Sequence, residues 1–347
     1  MIRSGVSPTF FYNKTKNKKM AITAKEVNEL RKKTGSGLMD CKKALVASEG
    51  DMAGAIDFLR KKGQKIAEAR GGRDASEGAV IAMTTEDGKT GVIVHVSCET
   101  DFVSQNAEFV GFAKSIAKIA LDNKFATVEE LLAADMNGVS VQESIIAKVG
   151  SIGENISIAN YYIINADNLV SYIHAGNKIG VVVSVKDASN GDFEEHVNFF
   201  KGVAMHIAAM SPKILSYKEF DAEFIAKETV AFAEQIKVEN EERVRLGKHL
   251  KNVPQYVSKA QLTPAVMAEV EAALKAELLA EGKPEAILDR IVPGKLERFV
   301  ADNTLLDQDL CLLDQFFALD DKKTVDQAIT DYNVDLSIDS YKRIQLG

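Results

Sequence analysis

Apolar positions in the first part of the chain recur at helical spacing. Over residues 21–62 this pattern predicts three short helices, the first capped by Thr23 and carrying Val27 and Leu30 on one face. About forty residues bury too little apolar surface for much independent stability. We therefore expect a small tethered module, followed by a linker over residues 63–77 that is rich in Lys, Arg, Gly and Ala.

The pattern then changes from the period of a helix to that of a strand. Two strands are predicted over Ala79–Thr84 and Gly91–Ser97, followed by a helix over about Asn106–Leu121. A second series of three strands and a helix is predicted over Ile156–Ile164, Leu169–Ala175, Ile179–Lys186 and Phe193–Met210.

The two series resemble each other in sequence. Residues 91–94 (GVIV) match residues 180–183 (GVVV), and residues 113–117 share the pattern Ala-x-x-Ile-Ala with residues 204–208. Short matches arise by chance, because strand and helix interiors use few residue types. Their common order nevertheless indicates a structural repeat, and hence a core of two related subdomains.

Two long, charged helices are predicted next, over about residues 219–246 and 264–279. Such a pair forms either an antiparallel hairpin that projects from the core or two helices packed individually on the domain, and the sequence leaves both open. The remaining predicted elements are two helices and a strand, over about residues 284–300, 324–331 and 334–343.

The composition is typical of a soluble globular protein, with 46% hydrophobic and 27% charged residues among 347. The net charge of −7 argues against broad nucleic-acid binding, which requires a concentration of Lys and Arg. The longest apolar run, Ile179–Val185, is far shorter than the about 18 residues of a membrane-spanning helix. We therefore expect no direct nucleic-acid contact and no membrane partner.

Residues 1–20 contain five basic residues and no acidic residue. Their low arginine content and lack of an amphipathic helix favour a disordered extension ahead of an alternative start at Met20, and a targeting segment stays open. The three cysteines, Cys41, Cys98 and Cys311, are odd in number and widely separated. That usage is typical of a reducing compartment, and no two of them have metal-ligand spacing.

No catalytic or cofactor motif is recognisable in the sequence. Gly88-Lys89-Thr90 resembles the end of a phosphate-binding loop, but Met83 stands where that loop requires a glycine. The histidines form no His-Glu-x-x-His pair, and no Gly-x-Ser-x-Gly segment is present. We therefore expect no catalytic residue, no cofactor and no metal. An enzyme with an unrecognised site among His95, Cys98 and Asp101 stays open as an alternative.

Three segments together resemble the elongation factor Ts family: Thr34–Leu45 (TGSGLMDCKKAL), Cys98–Val103 (CETDFV) and Ala204–Ala209 (AMHIAA). Gly153-Glu154-Asn155 adds a shorter match. Their order and separations along one chain argue against chance similarity. The resemblance covers about residues 20–345 and is weaker in the predicted helical insertion.

The family resemblance implies a ubiquitin-associated-like three-helix module, a linker and a core of two related α+β subdomains with antiparallel sheets, interrupted by a long helical hairpin. The corresponding boundaries are 21–62 for the module, 63–77 for the linker, 78–152 for the first subdomain, 153–216 with 282–347 for the second, and 217–281 for the insertion. Because this insertion is long, its contacts are not transferred from the family. We also expect this chain to lack the contacts of the C-terminal helical segment that some members carry.

The same resemblance implies a non-enzymatic guanine nucleotide exchange factor that acts on the GTPase elongation factor Tu. Such a factor promotes GDP release by disturbing the Mg²⁺ and phosphate site of the GTPase, and a bacterial-type cytoplasm is implied as its compartment, with an organelle as the alternative. The stoichiometry of the complex stays open. An adaptor that recruits other proteins through the ubiquitin-associated-like module is the second candidate.

The resemblance also assigns partner-binding residues. Those assigned to Mg²⁺ displacement in the GTPase are Thr100, Asp101, Phe102 and Val103; those of the module are Arg31, Leu38 and Met39; those of the core are Ile152, Gly153 and His206. Each assignment competes with a structural role. Phe102 alternatively covers a core, Asp101 caps a helix, Leu38 and Met39 pack inside the module, and His206 is a structural helix residue.

Overall fold

A computed structural model describes residues 22–189 and 191–347, so the extension predicted over residues 1–20 lies outside the described residues. The chain divides into two compact units, which are described separately. The first comprises the described part of Met1–Ser76, together with Ser97–Thr100 and Leu131–Ser157. The second comprises Glu77–Val96, Asp101–Glu130 and Ile158–Gly347. The domain boundaries expected from the sequence stay a prediction.

The secondary structure is mixed, in agreement with the predicted α+β class. The helices are α1 Ala24–Thr34, α2 Leu38–Ala47, α3 Met52–Arg70, α4 Asp101–Ser104, α5 Ala107–Asn123, α6 Val128–Ala133, α7 Val141–Ile152, α8 Val197–Met210, α9 Ala222–Arg245, α10 Pro264–Ala280, α11 Leu288–Asp302, α12 Leu305–Leu310 and α13 Val325–Tyr332. The strands are β1 Glu77–Thr84, β2 Thr90–Cys98, β3 Asp135–Met136, β4 Val139–Ser140, β5 Ser157–Asn165, β6 Asn168–His174, β7 Ile179–Asp187, β8 Phe316–Phe317, β9 Asp320–Thr324 and β10 Leu336–Gln345.

The first unit begins with the three helices that the sequence predicts. Thr23 caps α1 in a reciprocal capping box with Glu26, and Gly35 ends the helix in the left-handed conformation, with a φ of 65°. The core of the three helices is formed by Val27, Leu30, Cys41, Ala44, Leu45 and Ala55. This core is small, as expected for about forty residues.

Helix α3 continues to Arg70 and therefore includes residues 63–70 of the predicted linker. Lys, Gln, Ala, Glu and Arg in this stretch are strong helix formers, and α3 packs along α7. Gly63 and Gly150 lie at the contact, where a Cβ built on Gly150 would be only 2.9 Å from the Cα of Gly63. The absence of both side chains lets the two helix backbones approach closely.

The second unit contains two three-stranded sheets, with strand orders β1-β2-β5 and β10-β7-β6. Strand β7 pairs antiparallel with both β6 and β10. Helix α5 packs against β1, and helix α8 packs against β6 and β7. Each sheet thus has a helix on it, which is the arrangement that the sequence repeat predicts.

The two glycines of the sequence repeat lie where the sheets pack on each other. Gly91 is on the central strand of one sheet and Gly180 on the central strand of the other. A Cβ built on Gly180 would be 2.6 Å from Cγ1 of Val80, and one built on Gly91 would be 3.1 Å from Cγ1 of Val182. The shared layer also contains Ala82, Ile93, Leu169, Ile344 and Leu346. The glycines therefore determine how closely the two sheets approach.

The helical insertion forms a hairpin whose pairing differs from the one expected. Helix α10 packs mainly against α11 through Leu278, Leu288 and Val292, whereas α9 contributes Ile225 to a separate cluster with Val257 and Leu306. A left-handed Gly282, with a φ of 78°, lies in the short connection between α10 and α11. This connection brings α11, rather than the longer α9, alongside α10.

A buried acid joins helix α12 to the segment around Lys259. Asp307 is fully buried, and its Oδ2 accepts a hydrogen bond from the Lys259 N–H at 2.6 Å. Nζ of Lys259 pairs with Oδ1 of Asp314 at 2.5 Å. Burial raises the pKa of Asp307 from 3.8 to about 6, against the opposing effect of its hydrogen bonds to Ser258 and Lys259. The ionised form of Asp307 therefore opposes folding at neutral pH.

Gly180→Ala is expected to lower the free energy of unfolding by about 1–3 kcal/mol, because the new methyl group overlaps the rigid Val80 side chain. Gly111→Ala is the matched control, since its Cβ meets nothing within 4 Å in helix α5. That control should raise stability by about 0.5–1 kcal/mol. Urea denaturation of the two variants measures both values, and wild-type stability of Gly180→Ala would contradict the close sheet contact.

Asp307→Asn is expected to change how stability depends on pH. Because the folded-state pKa of Asp307 is raised, its contribution to stability is fully present below about 3.8 and is lost as the pH rises through about 6. The asparagine keeps an acceptor for the Lys259 N–H and does not titrate. The free energy of unfolding of the variant minus that of the wild type should rise by about 2 kcal/mol from pH 4 to pH 7. Parallel stability curves would contradict this expectation.

Candidate partner-binding site

Phe102 lies in the short helix α4, shortly after the end of strand β2. Every position of β2 is buried, yet Phe102 is 85% exposed, more than any other large hydrophobic residue of the described chain. Full burial of such a ring contributes about 1.5–3 kcal/mol of stabilisation, and the free chain lacks most of this contribution. The exposure rules out the structural alternative in which Phe102 covers the core of its own unit.

Helix α4 holds Phe102 outward by burying the residues that follow it. Ser104 is buried and donates its hydroxyl to the Asp101 carbonyl at 3.0 Å, and Gln105 donates its N–H to the same oxygen at 3.0 Å. Val103 is half-buried, and Asp101 is exposed beside Phe102. An exposed acid therefore accompanies the aromatic ring, as the family resemblance implied.

Thr100, directly before α4, is bound by the carboxylate of Glu154. Oε2 of Glu154 accepts the backbone N–H groups of both Glu99 and Thr100 at 3.1 Å, and Oε1 accepts the Thr100 hydroxyl at 2.7 Å. Glu154 comes just after α7, so the end of that helix supplies the acceptor. A charged acceptor makes these bonds stronger than bonds between neutral groups.

The carboxylate of Glu99 makes the reciprocal contact. It accepts the Asn155 N–H at 2.6 Å and pairs with Arg70 at 3.0 Å and Arg73 at 3.4 Å. The Asn155 N–H and the Arg70 guanidinium lower the pKa of Glu99, so the carboxylate is ionised at neutral pH. We call Arg70, Arg73, Glu99, Thr100, Glu154 and Asn155 the Glu99–Glu154 network.

This network was missed by reasoning from the sequence. Glu99 and Glu154 both lie in segments that carry the family resemblance, but nothing in the sequence pattern pairs them. Their bonds join residues 54 to 56 positions apart in the chain. No signal in the sequence pattern could have identified this pairing.

The residues assigned to the module are on its surface. Leu38 is 50% exposed and Met39 is 61% exposed, at the start of α2, while Cys41, Ala44 and Leu45 of the same helix face the core. Arg31 is exposed in the last turn of α1. Leu38 and Met39 are therefore outside the core of the module, contrary to the structural alternative.

Ile152 and Gly153 end helix α7. Ile152 is half-buried, and Gly153 caps the helix with a φ of 82°, donating its N–H to the Val149 carbonyl at 2.8 Å. This left-handed conformation favours glycine and turns the chain so that Glu154 and Asn155 follow directly. Gly153 therefore has a structural reason to be glycine.

His206 is fully buried in helix α8. Its Nε2 pairs with Oε1 of Gln315 at 3.0 Å, and its Nδ1 accepts the Ala318 N–H at 3.1 Å. Burial lowers the pKa of His206, which favours the neutral ring that this arrangement requires. In this chain the hydrogen bonds of His206 hold the segment around β8 in place. The side chain has no exposed surface, and this differs from the partner contact that the resemblance implied.

His95 and Cys98, named in the enzyme alternative, are both buried and hydrogen-bonded. Nδ1 of His95 pairs with Oδ1 of Asn160 at 3.2 Å, and Sγ of Cys98 donates to the Thr100 carbonyl at 3.3 Å. Burial lowers the pKa of His95. These bonds join His95 of β2 to strand β5 and Cys98 to the residues that follow β2.

Residues 22–189 and 191–347 lack two further features. No group of three or more His, Cys, Asp or Glu side chains has a geometry that could hold a metal ion. Likewise, no helix in this part of the chain combines the length and apolar character needed to cross a membrane.

Comparison with known proteins gives concordant matches. The family model described as elongation factor TS matches residues 99–347. The elongation factor Ts of Rhodopirellula baltica is 53% identical over 328 residues, which is 94% of this chain and 99% of that protein. Those of Flavobacterium johnsoniae and Campylobacter fetus are 46% and 44% identical, again over 94% of this chain and over 99% and 95% of their own lengths. The chain therefore belongs to the elongation factor Ts family of translation elongation factors.

Proposed function

We propose that this chain is a guanine nucleotide exchange factor for elongation factor Tu in the cytoplasm of a bacterial-type cell. It binds the GDP-bound GTPase, promotes GDP release by disturbing the Mg²⁺ and phosphate site, and so permits GTP to bind during translation elongation. No covalent bond is made or broken by the chain itself.

The observation that carries this proposal is the exposed Phe102 beside the exposed Asp101. The ring is apolar, projects into solvent and follows a backbone that the Glu99–Glu154 network holds. An apolar side chain presented in this way gains stabilisation when a partner buries it. In the proposed complex, Phe102 and Asp101 displace groups of the GTPase that support its metal ion.

Linkage explains why such contacts release GDP. If the factor binds the nucleotide-free GTPase more tightly than the GDP-bound form, it must weaken GDP binding by the same factor. Mg²⁺ requires near-ideal octahedral geometry, so a small displacement of its supporting groups weakens the hold on the phosphates. The binding energy of the complex therefore opposes the retention of nucleotide.

The exposed Leu38 and Met39 favour a second candidate function, that of an adaptor that recruits proteins through its amino-terminal module. Methionine is a flexible and polarizable side chain that suits an adaptable contact surface. An adaptor would bind through the module without accelerating nucleotide release, so one assay separates the two functions.

We expect this chain to accelerate GDP release from elongation factor Tu, and Phe102→Ala to lower the maximal rate by about 10- to 100-fold, corresponding to the lost burial of one ring. The measurement uses the GTPase loaded with fluorescent GDP, an excess of unlabelled GDP and increasing concentrations of the chain. Val334→Ala is the matched control, since Val334 is 78% exposed and has no assigned contact. Unchanged release with the wild-type chain would refute the exchange function, and wild-type rates with Phe102→Ala would refute the role of Phe102.

Met39→Ala is expected to affect affinity rather than the maximal rate. Loss of this contact should raise the concentration of the chain that gives half-maximal release by about tenfold, because about 1.4 kcal/mol of binding energy is lost. The same titration measures it, with Val139→Ala as the control, since Val139 is 47% exposed elsewhere in the first unit. A lower maximal rate at unchanged half-saturation would contradict the assignment of Met39 to binding alone.

A further inference from the structure

The Glu99–Glu154 network binds the backbone immediately before α4. The two consecutive N–H groups of Glu99 and Thr100 both point to one oxygen of Glu154, while the Thr100 hydroxyl binds the other oxygen. Phe102 follows Thr100 by two residues. The direction in which α4 leaves the strand therefore depends on backbone dihedral angles that this carboxylate holds.

An exposed ring has few contacts of its own to orient it. At 85% exposure, Phe102 gains almost no packing from neighbouring side chains, so its placement in the free chain comes from the backbone beneath it. A group that must meet a partner in one geometry loses effectiveness when it is displaced by about 1 Å, with rate losses of up to about 100-fold in comparable cases.

We propose that Glu154 is a positioning residue for nucleotide release, acting through Thr100 on the placement of Phe102. This inference rests on the exchange function proposed above. Glu154 touches neither nucleotide nor metal in this account. Its carboxylate orders the segment that carries Phe102 before the complex forms. Binding then loses less conformational entropy.

The contacts distinguish Glu154 from the other acid of the network. The Glu99 carboxylate binds the Asn155 N–H, Arg70 and Arg73. Within residues 22–189 and 191–347, Glu154 is the only side chain that accepts hydrogen bonds from the backbone N–H groups of the two residues that precede α4. Glu99 and the arginines therefore support the segment around Glu154, whereas Glu154 acts on the Phe102 segment.

Glu154→Ala is expected to lower the maximal rate of GDP release from elongation factor Tu by about 10-fold, with little change in the half-saturating concentration. In the Phe102→Ala background the same substitution should cause no further loss, because the group that it positions is already absent. Measuring release with the wild-type chain, both single variants and the double variant forms a complete double-mutant cycle.

Two additional variants separate positioning from general damage. Glu154→Gln keeps an acceptor for the two N–H groups and places an amide against the Thr100 hydroxyl, so it should retain the maximal rate within about threefold. Thr100→Val removes only the hydroxyl bond of 2.7 Å and should cause a smaller loss, also absent in the Phe102→Ala background. Circular dichroism confirms the folding of each variant.

The outcomes identify which proposal fails. A wild-type chain that does not accelerate release refutes the exchange function and this inference with it. If the wild-type chain is active and depends on Phe102, a wild-type maximal rate with Glu154→Ala refutes the positioning role alone. An equal loss with and without Phe102 also refutes it, because a structural defect would act independently of the ring. If Glu154→Ala does not fold, the double-mutant cycle of Thr100→Val with Phe102→Ala tests the positioning role instead.

Discussion

The reciprocal hydrogen bonding between two short segments is the constraint on which the candidate site depends. Glu154 accepts the backbone of residues 99 and 100, and Glu99 accepts the backbone of residue 155. Both acceptors are carboxylates, and Arg70 neutralises the charge of Glu99. A charged acceptor strengthens such bonds and they are directional, so they hold the segment before α4 more firmly than side-chain packing at an exposed position would. Together with the bonds inside α4, this support makes the exposure of Phe102 compatible with a defined position.

Close backbone contact is the corresponding constraint within each unit. Gly63 and Gly150 let α3 and α7 meet in the first unit, and Gly91 and Gly180 let the two sheets meet in the second. In both places an added methyl group would overlap atoms that have little freedom to move, because protein interiors are packed at the density of organic crystals. Helix α7 ends at Ile152, and its cap Gly153 immediately precedes Glu154, so the same helix carries the glycine contact with α3 and leads into the network.

Periodicity predicted most helices and strands of this chain, because their residues pack on one neighbouring layer. It failed where distant residues decide the outcome. The stretch over residues 63–70 has the composition of a linker and of a helix alike, and packing against α7 makes it helical. His206 shows the same limit, since its partner Gln315 is 109 positions away and the helical pattern cannot reveal it. The exposure of Phe102 was predicted from the family resemblance, whereas the apolar pattern alone favoured packing.

The magnitudes indicate how the proposed exchange activity would be distributed over the surface. Accelerating release ~10⁴-fold requires about 5.5 kcal/mol, whereas burying one aromatic ring supplies about 1.5–3 kcal/mol. Phe102 alone is therefore insufficient, and further contacts must strengthen as nucleotide leaves. Contacts that are equally strong in the GDP-bound and nucleotide-free complexes raise affinity without raising the maximal rate. Leu38 and Met39, on a small module of their own, fit the contacts that are equally strong in both complexes. Asp101 and the segment held by Glu154 adjoin Phe102. They fit the contacts that strengthen when the nucleotide leaves the GTPase.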